Sequence, residues 1–518
     1  MAERDEINPW LIAVSVMLAT FMEVLDTSIA AVALPYIAGS VSATVDEATW
    51  VLTSYLVANA IVLPASGWLS LRFGRKRFLI TCIGIFTVSS FMCGAATSLP
   101  MILIARAIQG AGGGALQPLS QSILLESFPP AKRGQAMAVF ALGVVVAPVL
   151  GPTLGGWLTD TYSWRWAFYI NIPIGIFAVL MILRYVHDPE YIRSARPGRL
   201  DAWGLGLLAV WVGTLQVILD KGQEDDWFGA MWIRWATAIL LAAFVAFLVR
   251  EFRHEKPLVD LRIFRHRNFA LGCLIIGLFG ALIYGLVTLL PLFYQELLRY
   301  TAFAAGWAVS PRGVGAILAM PVIGVLTSKI DNRYLIATGF FLFGISSLWF
   351  GHINLGISQW SLLWPIIISG FGSGCVFVPL STTAMSGLPN NELGNASGLY
   401  NLLRNIGGGI GISLVNTLIA RHAQLHRNEM LHGLAEGNPE FDARLRAISA
   451  YLLGNGTPPN VAIQRAYALL SGSLDQQAAL WSYVDDFRYM ALACFACIPI
   501  VFMLKKAMAR KGAVSSAH

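Results

Sequence analysis

Charged side chains are scarce in this chain of 518 residues. Only 13% are Asp, Glu, Lys or Arg, whereas 56% are hydrophobic. Soluble globular proteins carry about 25% charged residues, so this composition excludes an ordinary soluble domain. The apolar residues come in blocks of about 20 residues or more, enough to cross the hydrocarbon core of a bilayer as a helix. We therefore predict an all-α membrane protein with many spanning helices.

Sequence signatures of enzymes are also missing. The chain has no phosphate-binding loop ending in Gly-Lys-Ser/Thr and no Gly-x-Ser-x-Gly nucleophile motif. These absences exclude an ATP-driven pump contained in this one chain, and we do not expect an enzyme. The six cysteines all lie inside apolar blocks, where we expect inert packing residues rather than metal ligands. We expect neither a cofactor nor a metal site.

Fourteen apolar segments are long enough to span a membrane, near residues 10–35, 47–69, 78–97, 99–125, 135–158, 166–186, 201–219, 231–250, 269–295, 303–328, 334–353, 361–386, 396–420 and 488–506. Basic residues concentrate in alternate loops, and the short loops between those keep only four: Arg165, Lys221, Arg234 and Arg299. The positive-inside rule then places both termini in the cytoplasm. This asymmetry accounts for the net charge of +7, and we expect no nucleic-acid partner.

Short motifs return along the chain at an offset of about 260 residues. Pro118-Leu119-Ser120, for example, returns as Pro379-Leu380-Ser381. A repeat of six spans is typical of secondary transporters that bind substrate between two halves. We predict a first half over residues 1–200, two inserted spans with a cytoplasmic linker over 201–268, and a second half over 269–518. The second half includes a long polar segment, 421–487, which we expect on the outer side with helical patches.

The stretch from Gly143 to Gly156 combines small residues with two prolines. The small residues recur at every fourth position and share one helix face: Gly143, Ala147, Gly151 and Gly155. Such a face lets another helix approach closely. Pro148 and Pro152 each remove a backbone N–H donor and favour a bend. We predict that this helix, with Gly156 at its end, is a gate or seal between moving parts.

Few ionisable residues lie within the predicted spans: Glu23, Asp26, Arg106, Arg312 and Arg404. A charge at the centre of a bilayer costs about 3 kcal/mol or more, so we expect these residues to be functional. Glu23 and Asp26 share a helix face, where two carboxylates repel each other and one tends to hold a proton. We predict that they carry protons and attract cationic drugs. The alternative for Asp26 is a fixed salt-bridge anchor.

The buried arginines are candidate partners for these carboxylates. Arg106 begins a stripe with Gly110 and Gly114, on a face where helices meet closely. A buried arginine there needs carboxylate or backbone partners. We predict that Arg106 couples to the protonation of Asp26, with a fixed structural pair as the alternative. Arg312 and Arg404 are further candidate charge partners.

The loop between spans two and three, GWLSLRFGRKRF, has glycines that suit a tight turn and several basic residues. Gly67, Gly74, Arg75 and Lys76 are predicted to form a gate at the inner surface, through contacts of cations with helix ends. The alternative is that these cations only set the topology.

Taken together, the motifs resemble the fourteen-span drug:proton antiporters (DHA2) of the EmrB/QacA type in the major facilitator superfamily. LDTSIAAVALP (Leu25–Pro35) is similar to the span-one motif of that family, and LIARAIQGAGGG is similar to the span-four motif. GWLSLRFGRK, the Gly143–Gly156 stretch, WRWAFYINIPIG and LPLFYQ also look like this family. Two departures stand out: the family usually has Asp where this chain has Leu71, and Asn where it has Ala31.

The resemblance implies a major facilitator fold of six, two inserted and six helices, and proton-coupled export of hydrophobic toxic compounds across a bacterial inner membrane. It also implies a periplasmic adaptor of the EmrA type and a TolC-like outer-membrane channel as partners. One alternative is a dedicated exporter of a single natural product or fatty acid. Another is a membrane receptor or scaffold that uses segment 421–487 as a binding module.

Overall fold

The computed structural model is built of α-helices and describes residues 8–193, 201–254, 257–431 and 438–506. Within these ranges there is no β-strand, and the prediction of an all-helical protein is confirmed. The predicted boundary at residue 200, part of segment 421–487 and the chain ends with their basic residues lie outside the described residues.

The first set of helices corresponds to the predicted first half. Its members are α1 (Pro9–Ser40), α2 (Val45–Phe73), α3 (Arg75–Ala95), α4 (Leu99–Gly113), α5 (Leu116–Ser127), α6 (Arg133–Thr161), α7 (Trp166–Tyr169), α8 (Asn171–Tyr185) and α9 (Glu190–Arg193). Local chemistry explains several ends. Thr44 and Glu47 form a capping box at the start of α2. Gly74, with φ of +82°, separates α2 from α3 in a conformation that other residues rarely adopt.

Two helices follow as an insert, α10 (Ala202–Lys221) and α11 (Met231–Arg253). The second set comprises α12 (Arg267–Leu292), α13 (Ala302–Val309), α14 (Pro311–Leu326), α15 (Asn332–Phe350), α16 (Leu363–Ala384), α17 (Leu393–Leu431), α18 (Pro439–Gly454) and α19 (Pro459–Phe502). Thirteen stretches of the described residues are apolar and long enough to cross a bilayer. The predicted fourteenth span, 488–506, is not one of these thirteen, and its residues 488–502 form the last part of α19.

The same pairs of helices pack together in both sets. Helix α1 packs on α6 as α12 packs on α17, and α2 packs on α4 as α14 packs on α16. The two sets meet along two seams, α2 with α17 and α6 with α14. We call the face with the start of α1 and the end of α19 the inner face, and the opposite face the outer face. Functional side chains of α1, α4, α6, α14 and α17 lie between these faces.

The polar segment expected at the outer face is helical where it is described. Residues 421–431 continue α17, residues 439–454 form α18, and residues 459–487 are the first part of α19. A hydrogen bond and an ion pair join the extensions of α17 and α19: His426 Nε2 lies 2.8 Å from Asp485 Oδ2, and Arg427 Nε lies 2.7 Å from Asp475 Oδ1. The two long helices therefore project together beyond the apolar region.

Candidate functional site

A closed charge pair lies at the centre of the first half. Arg106 Nη1 on α4 is 2.6 Å from Asp26 Oδ2 on α1, and both side chains are 0% exposed. Arg106 Nε also donates to the carbonyl of Val51 at 3.0 Å, and its guanidinium stacks 4.2 Å above the ring of Tyr55. A buried arginine is stable only with such partners. The structure thus brings together the two residues that the sequence analysis linked.

Two amides complete the surroundings of Asp26. Gln109 Nε2 donates to Asp26 Oδ1 at 2.9 Å, and Asn171 Nδ2 donates to the same oxygen at 2.6 Å. Gln109 Oε1 in turn accepts from Arg106 Nη1 at 2.8 Å. Gln109 follows Arg106 by one helical turn, so both reach Asp26 from α4. Donors from α4 and α8 therefore hold the carboxyl group of Asp26 in place.

Glu23 lies one turn before Asp26 but has different neighbours. Asn59 Nδ2 donates to Glu23 Oε1 at 3.0 Å, and Gln117 Nε2 donates to Glu23 Oε2 at 2.6 Å. The oxygen of the same Gln117 amide accepts from Arg404 Nη2 on α17. One amide therefore links a carboxylate of the first half to a guanidinium of the second half. It is one of two buried polar links here among the described residues, since Asn401 Nδ2 of α17 also donates to Gln121 Oε1 of α5 at 2.7 Å.

The second half contributes two buried arginines without carboxylate partners among the described residues. Arg312 on α14 is 1% exposed, and neither of its terminal nitrogens has a hydrogen-bond partner there. Arg404 is 2% exposed, and its Nε and Nη1 also lack partners. Both arginines line a narrow cleft between the halves, together with Val144 and Pro148 of α6 and Tyr284 of α12. The walls of this cleft are mainly apolar and carry two positive charges that form no ion pair with a carboxylate among the described residues.

The proline-containing helix α6 packs its small face on α1, as the stripe predicts. A Cβ added at Gly151 would overlap Ser28 Oγ, and one added at Gly155 would lie 3.2 Å from Ile29 Cα. Pro152 has no N–H to donate to the carbonyl of Pro148. Ser28 Oγ donates to that carbonyl instead, at 3.0 Å. One side chain of α1 thus satisfies the backbone group that the second proline leaves free.

The far end of this stripe reaches the other half. A Cβ added at Gly156 would lie 3.4 Å from Phe303 Cα, at the start of α13. Gly143, at the near end, faces Met17 of α1 at 3.4 Å. The stripe thus contacts α1 along most of its length and the second half at its outer end.

The loop between α2 and α3 makes contacts at the inner face. Arg75 donates to both oxygens of Glu126 at 2.9 Å, in a bidentate pair. Lys76 Nζ donates to the carbonyl of Leu183, in the last turn of α8, at 2.7 Å. A Cβ added at Gly67 would lie 2.9 Å from the backbone nitrogen of Asn395 on α17. The halves therefore touch backbone to backbone at this point.

Sequence reasoning missed the amides of the site. Asn59, Gln109, Gln117 and Asn171 are all buried and bind Glu23 or Asp26. Uncharged amides inside apolar spans are a weaker signal than charges, but each must find a hydrogen-bond partner when buried. A search for such amides would have found all four.

Comparisons with known proteins give one family and one fold. The sequence model of the Major Facilitator Superfamily matches residues 16–412. The chain is 37% identical over 509 residues to the multidrug export protein EmrB of Escherichia coli strain K12, with 98% of each chain covered. It is 37% identical over 495 residues to the fatty acid resistance protein FarB of Neisseria gonorrhoeae, with 95% of this chain and 96% of that protein covered. The crystal structure of the human organic anion transporter TETRAN matches with a TM-score of 0.59 at 15% identity, over 94% of this chain and 99% of that chain.

Proposed function

We propose a proton-driven mechanism for this chain, which belongs to the Major Facilitator Superfamily and is a multidrug efflux transporter of that family. Hydrophobic toxic compounds leave through the space between the halves in exchange for entering protons. The observation that carries this proposal is the link from Glu23 through Gln117 to Arg404. It makes the contact between the halves depend on the charge of one carboxylate.

The two carboxylates have separate tasks in this mechanism. Asp26 is enclosed by Arg106, Gln109 and Asn171, so it acts with Arg106 as the coupling pair. Glu23 faces the interface, and its geometry favours the exchange of a proton there. When Glu23 takes up a proton, it loses the charge that attracts Gln117 and, through it, Arg404. The link between the halves weakens, and the other orientation becomes more populated.

The drug in this proposal binds in the cleft beside α6. A ligand shifts the equilibrium only by its different affinity for the two orientations. The prolines and glycines between Gly143 and Gly156 give α6 a close fit to α1 and a contact to α13, which supports a role as seal or gate. The contacts of Gly67, Gly74, Arg75 and Lys76 support a gate at the inner face.

The setting that we propose is a bacterial inner membrane with both termini in the cytoplasm. The concentration of basic residues in alternate loops supports this orientation. The resemblance to antiporters of the EmrB type supports a periplasmic adaptor and a TolC-like channel as partners. The paired extensions of α17 and α19 at the outer face offer a surface for such an adaptor.

The proton mechanism is tested by dye efflux from cells, with and without an uncoupler. Glu23→Gln and Asp26→Asn keep the size of each side chain and remove its charge. We expect both variants to lose the uncoupler-sensitive efflux by at least about tenfold, because each changes a link that depends on charge. Asp160→Asn, at an exposed carboxylate that binds Tyr36, is the matched control. Wild-type efflux that remains sensitive to the uncoupler in Glu23→Gln and Asp26→Asn would exclude the assignment.

A specific observation favours a second candidate function, export dedicated to a fatty acid or a similar anionic natural product. Arg312 and Arg404 give the cleft positive charge with no carboxylate partner among the described residues. Such walls suit a carboxylate head group on an apolar tail once the cleft, which has a volume of about 20 Å³ in this arrangement, widens to admit it. A resistance profile separates the two functions. A dedicated exporter protects cells against long-chain fatty acids alone, whereas a multidrug exporter also protects them against unrelated neutral and cationic compounds.

A further inference from the structure

The inserted helix α10 lies between the outer parts of α2 and α17. Gly213 of α10 faces α2, where an added Cβ would lie 3.4 Å from Val57 Cγ1. Gly409 of α17 faces α10, where an added Cβ would lie 3.3 Å from Leu219 Cδ1. Glycine at both contacts lets the three helices pack closely. Helix α10 therefore touches both halves of the transporter in the outer part of this seam.

Polar contacts connect the outer end of α10 to α2. Thr53 of α2 donates to Asp220 Oδ2, and Lys221 Nζ donates to Thr49 Oγ1 at 2.8 Å. Lys221 is only 7% exposed. A buried ammonium is retained only where partners hold it in place. Lys221 also pairs with Glu224 at 2.6 Å, whereas Asp220 is exposed. The outer end of α10 is thus attached to the first half.

A hydrogen bond adds to the contact at Gly409 and attaches the same region to the second half. Trp227 follows α10, and its Nε1 donates to Thr417 Oγ1 of α17 at 3.2 Å and to Gln223 Oε1 at 3.3 Å. Thr417 in turn donates to the carbonyl of Ser413, one turn earlier in α17. The insert therefore joins two helices that belong to different halves.

The two seams between the halves are built differently. In the α6 seam the outer ends meet directly, because an added Cβ at Gly306 of α13 would lie 3.0 Å from the backbone nitrogen of Thr153. In the α2 seam the inner ends meet directly at Gly67 and Asn395, while α10 contacts both helices in the outer part. One seam is a simple pairing of helices, and the other includes a third helix.

We propose that α10 is an outer tie between the halves, with Asp220 and Trp227 as its positioning residues. The tie holds the outer parts of α2 and α17 at a fixed separation and stabilises the arrangement in which their inner ends touch. When the inner side opens to load substrate, the two helices move relative to each other, so at least one attachment breaks. The tie thereby sets the balance between the two orientations. The inference rests on the proposed function only in assuming that the halves alternate.

Cysteine labelling tests this tie without drug or proton gradient. Ser70 is buried at the inner seam, 4.0 Å from a Cβ built at Gly394, so Ser70→Cys should react faster with a maleimide when the inner side opens. The six native cysteines are buried, and the parent chain gives the background rate. Trp227→Phe keeps the ring and removes the donor to Thr417. We expect it to raise the labelling rate of Ser70→Cys about fivefold, the effect of losing one hydrogen bond made in a single state.

The matched control is Trp232→Phe, in the first turn of α11. Trp232 Nε1 donates to Asp225, in the connection between α10 and α11, at 3.2 Å and does not join the halves, so this variant should label at the parent rate. Thr417→Val should raise the labelling rate as much as Trp227→Phe does, and the double variant should label no faster than either single variant. Thr417→Ser keeps the hydroxyl group and should label at the parent rate. Asp220→Asn tests the attachment to α2 in the same way. Labelling of all tie variants at the rate of Trp232→Phe would overturn the tie, whatever the efflux assays give.

Discussion

The two halves of this transporter treat buried charge in opposite ways. In the first half, Arg106 and Asp26 form a closed pair at 2.6 Å, and two amides bind the remaining carboxylate oxygen. In the second half, Arg312 is equally buried, yet its terminal nitrogens have no partner among the described residues. An unpaired buried charge destabilises a fold, whereas a paired one is close to neutral.

This difference indicates that the buried charges of the two halves have different functions. A closed ion pair can act as a rigid coupling unit, although Arg106 Nη2 has no hydrogen-bond partner among the described residues. A buried arginine without hydrogen-bond partners is stabilised by any anion that approaches it in the cleft. That anion is either a substrate head group or a carboxylate of the other half. Arg404 shows an intermediate case, because one of its nitrogens already reaches the first half through Gln117.

The largest expected effect on stability follows from breaking the ion pair of Arg106 with Asp26. Arg106→Leu leaves Asp26 as a buried carboxylate without its cation, which costs about 3–5 kcal/mol of stability. Thermal unfolding in detergent measures this loss. The double variant Arg106→Leu/Asp26→Leu removes both charges and should recover most of it. If the double variant is as unstable as Arg106→Leu, the pair is not the source of the loss.

A gain of stability, not a loss, is expected when Arg312 is replaced. Arg312→Met replaces a buried charge with an apolar side chain of similar length, so the protein should gain about 1–3 kcal/mol of stability. Efflux should nevertheless fall, because the cleft loses a positive charge. Stability and efflux are measured on the same purified and reconstituted protein. A loss of stability as large as that of Arg106→Leu would contradict the contrast between the halves.

The fold could be predicted from the sequence, but the candidate site could be predicted only in part. Apolar blocks, the internal repeat and the family motifs predicted an all-helical major facilitator fold, which is confirmed, because span length and hydropathy are local properties. Intramembrane charges were visible for the same reason. The partners were not, because Asp26 and Arg106 are 80 positions apart, and Gln117 and Arg404 are 287 apart. Which arginine is paired depends on how the helices pack together.

Three glycines with different amounts of space give a smaller effect that belongs to each site rather than to a half, because a Cβ at Gly110 of the first half would also overlap a backbone oxygen, that of Tyr55. In the second half, a Cβ at Gly411 of α17 would overlap the backbone oxygen of Ala281, which cannot yield. In the first half, a Cβ at Gly151 would overlap only the side chain of Ser28, and one at Gly143 has ordinary room at 3.4 Å. Overpacking costs about 1–3 kcal/mol. We expect Gly411→Ala to be the most unstable variant, Gly151→Ala to be intermediate, and Gly143→Ala to be unchanged or stabilised.

Thermal unfolding of these three alanine variants gives the ranking. Gly151→Leu extends the test to function, because its larger side chain should separate α6 from α1 and stop efflux while membrane insertion continues. Normal efflux by Gly151→Leu would remove the role of α6 as a seal.

The smallest expected effect concerns a carboxylate of the second half that lacks the donors of Asp26. Asp486 of α19 is 1% exposed at the outer edge, its oxygens accept no hydrogen bond among the described residues, and His422 Nδ1 lies 3.7 Å away. Burial, helped by the charge of Asp485, raises the pKa of Asp486 to about 8. An aspartate in an unfolded chain ionises near pH 4, at about 3.9. Between these values the folded protein holds a proton that the unfolded chain has lost, so this stabilisation is complete below the lower value and disappears as the pH rises through about 8.

Asp486→Asn should therefore remove a dependence on pH rather than a fixed amount of stability. We expect the wild type to lose about 1–2 kcal/mol relative to Asp486→Asn between pH 5 and 8, because water at the membrane edge limits the cost of ionisation. Unfolding midpoints of both proteins across this range give the difference. Asp475→Asn, at an exposed carboxylate paired with Arg427, should follow the wild-type curve. Parallel curves for the wild type and Asp486→Asn would mean that Asp486 is as well satisfied as Asp26, and the contrast between the halves would then be confined to the arginines.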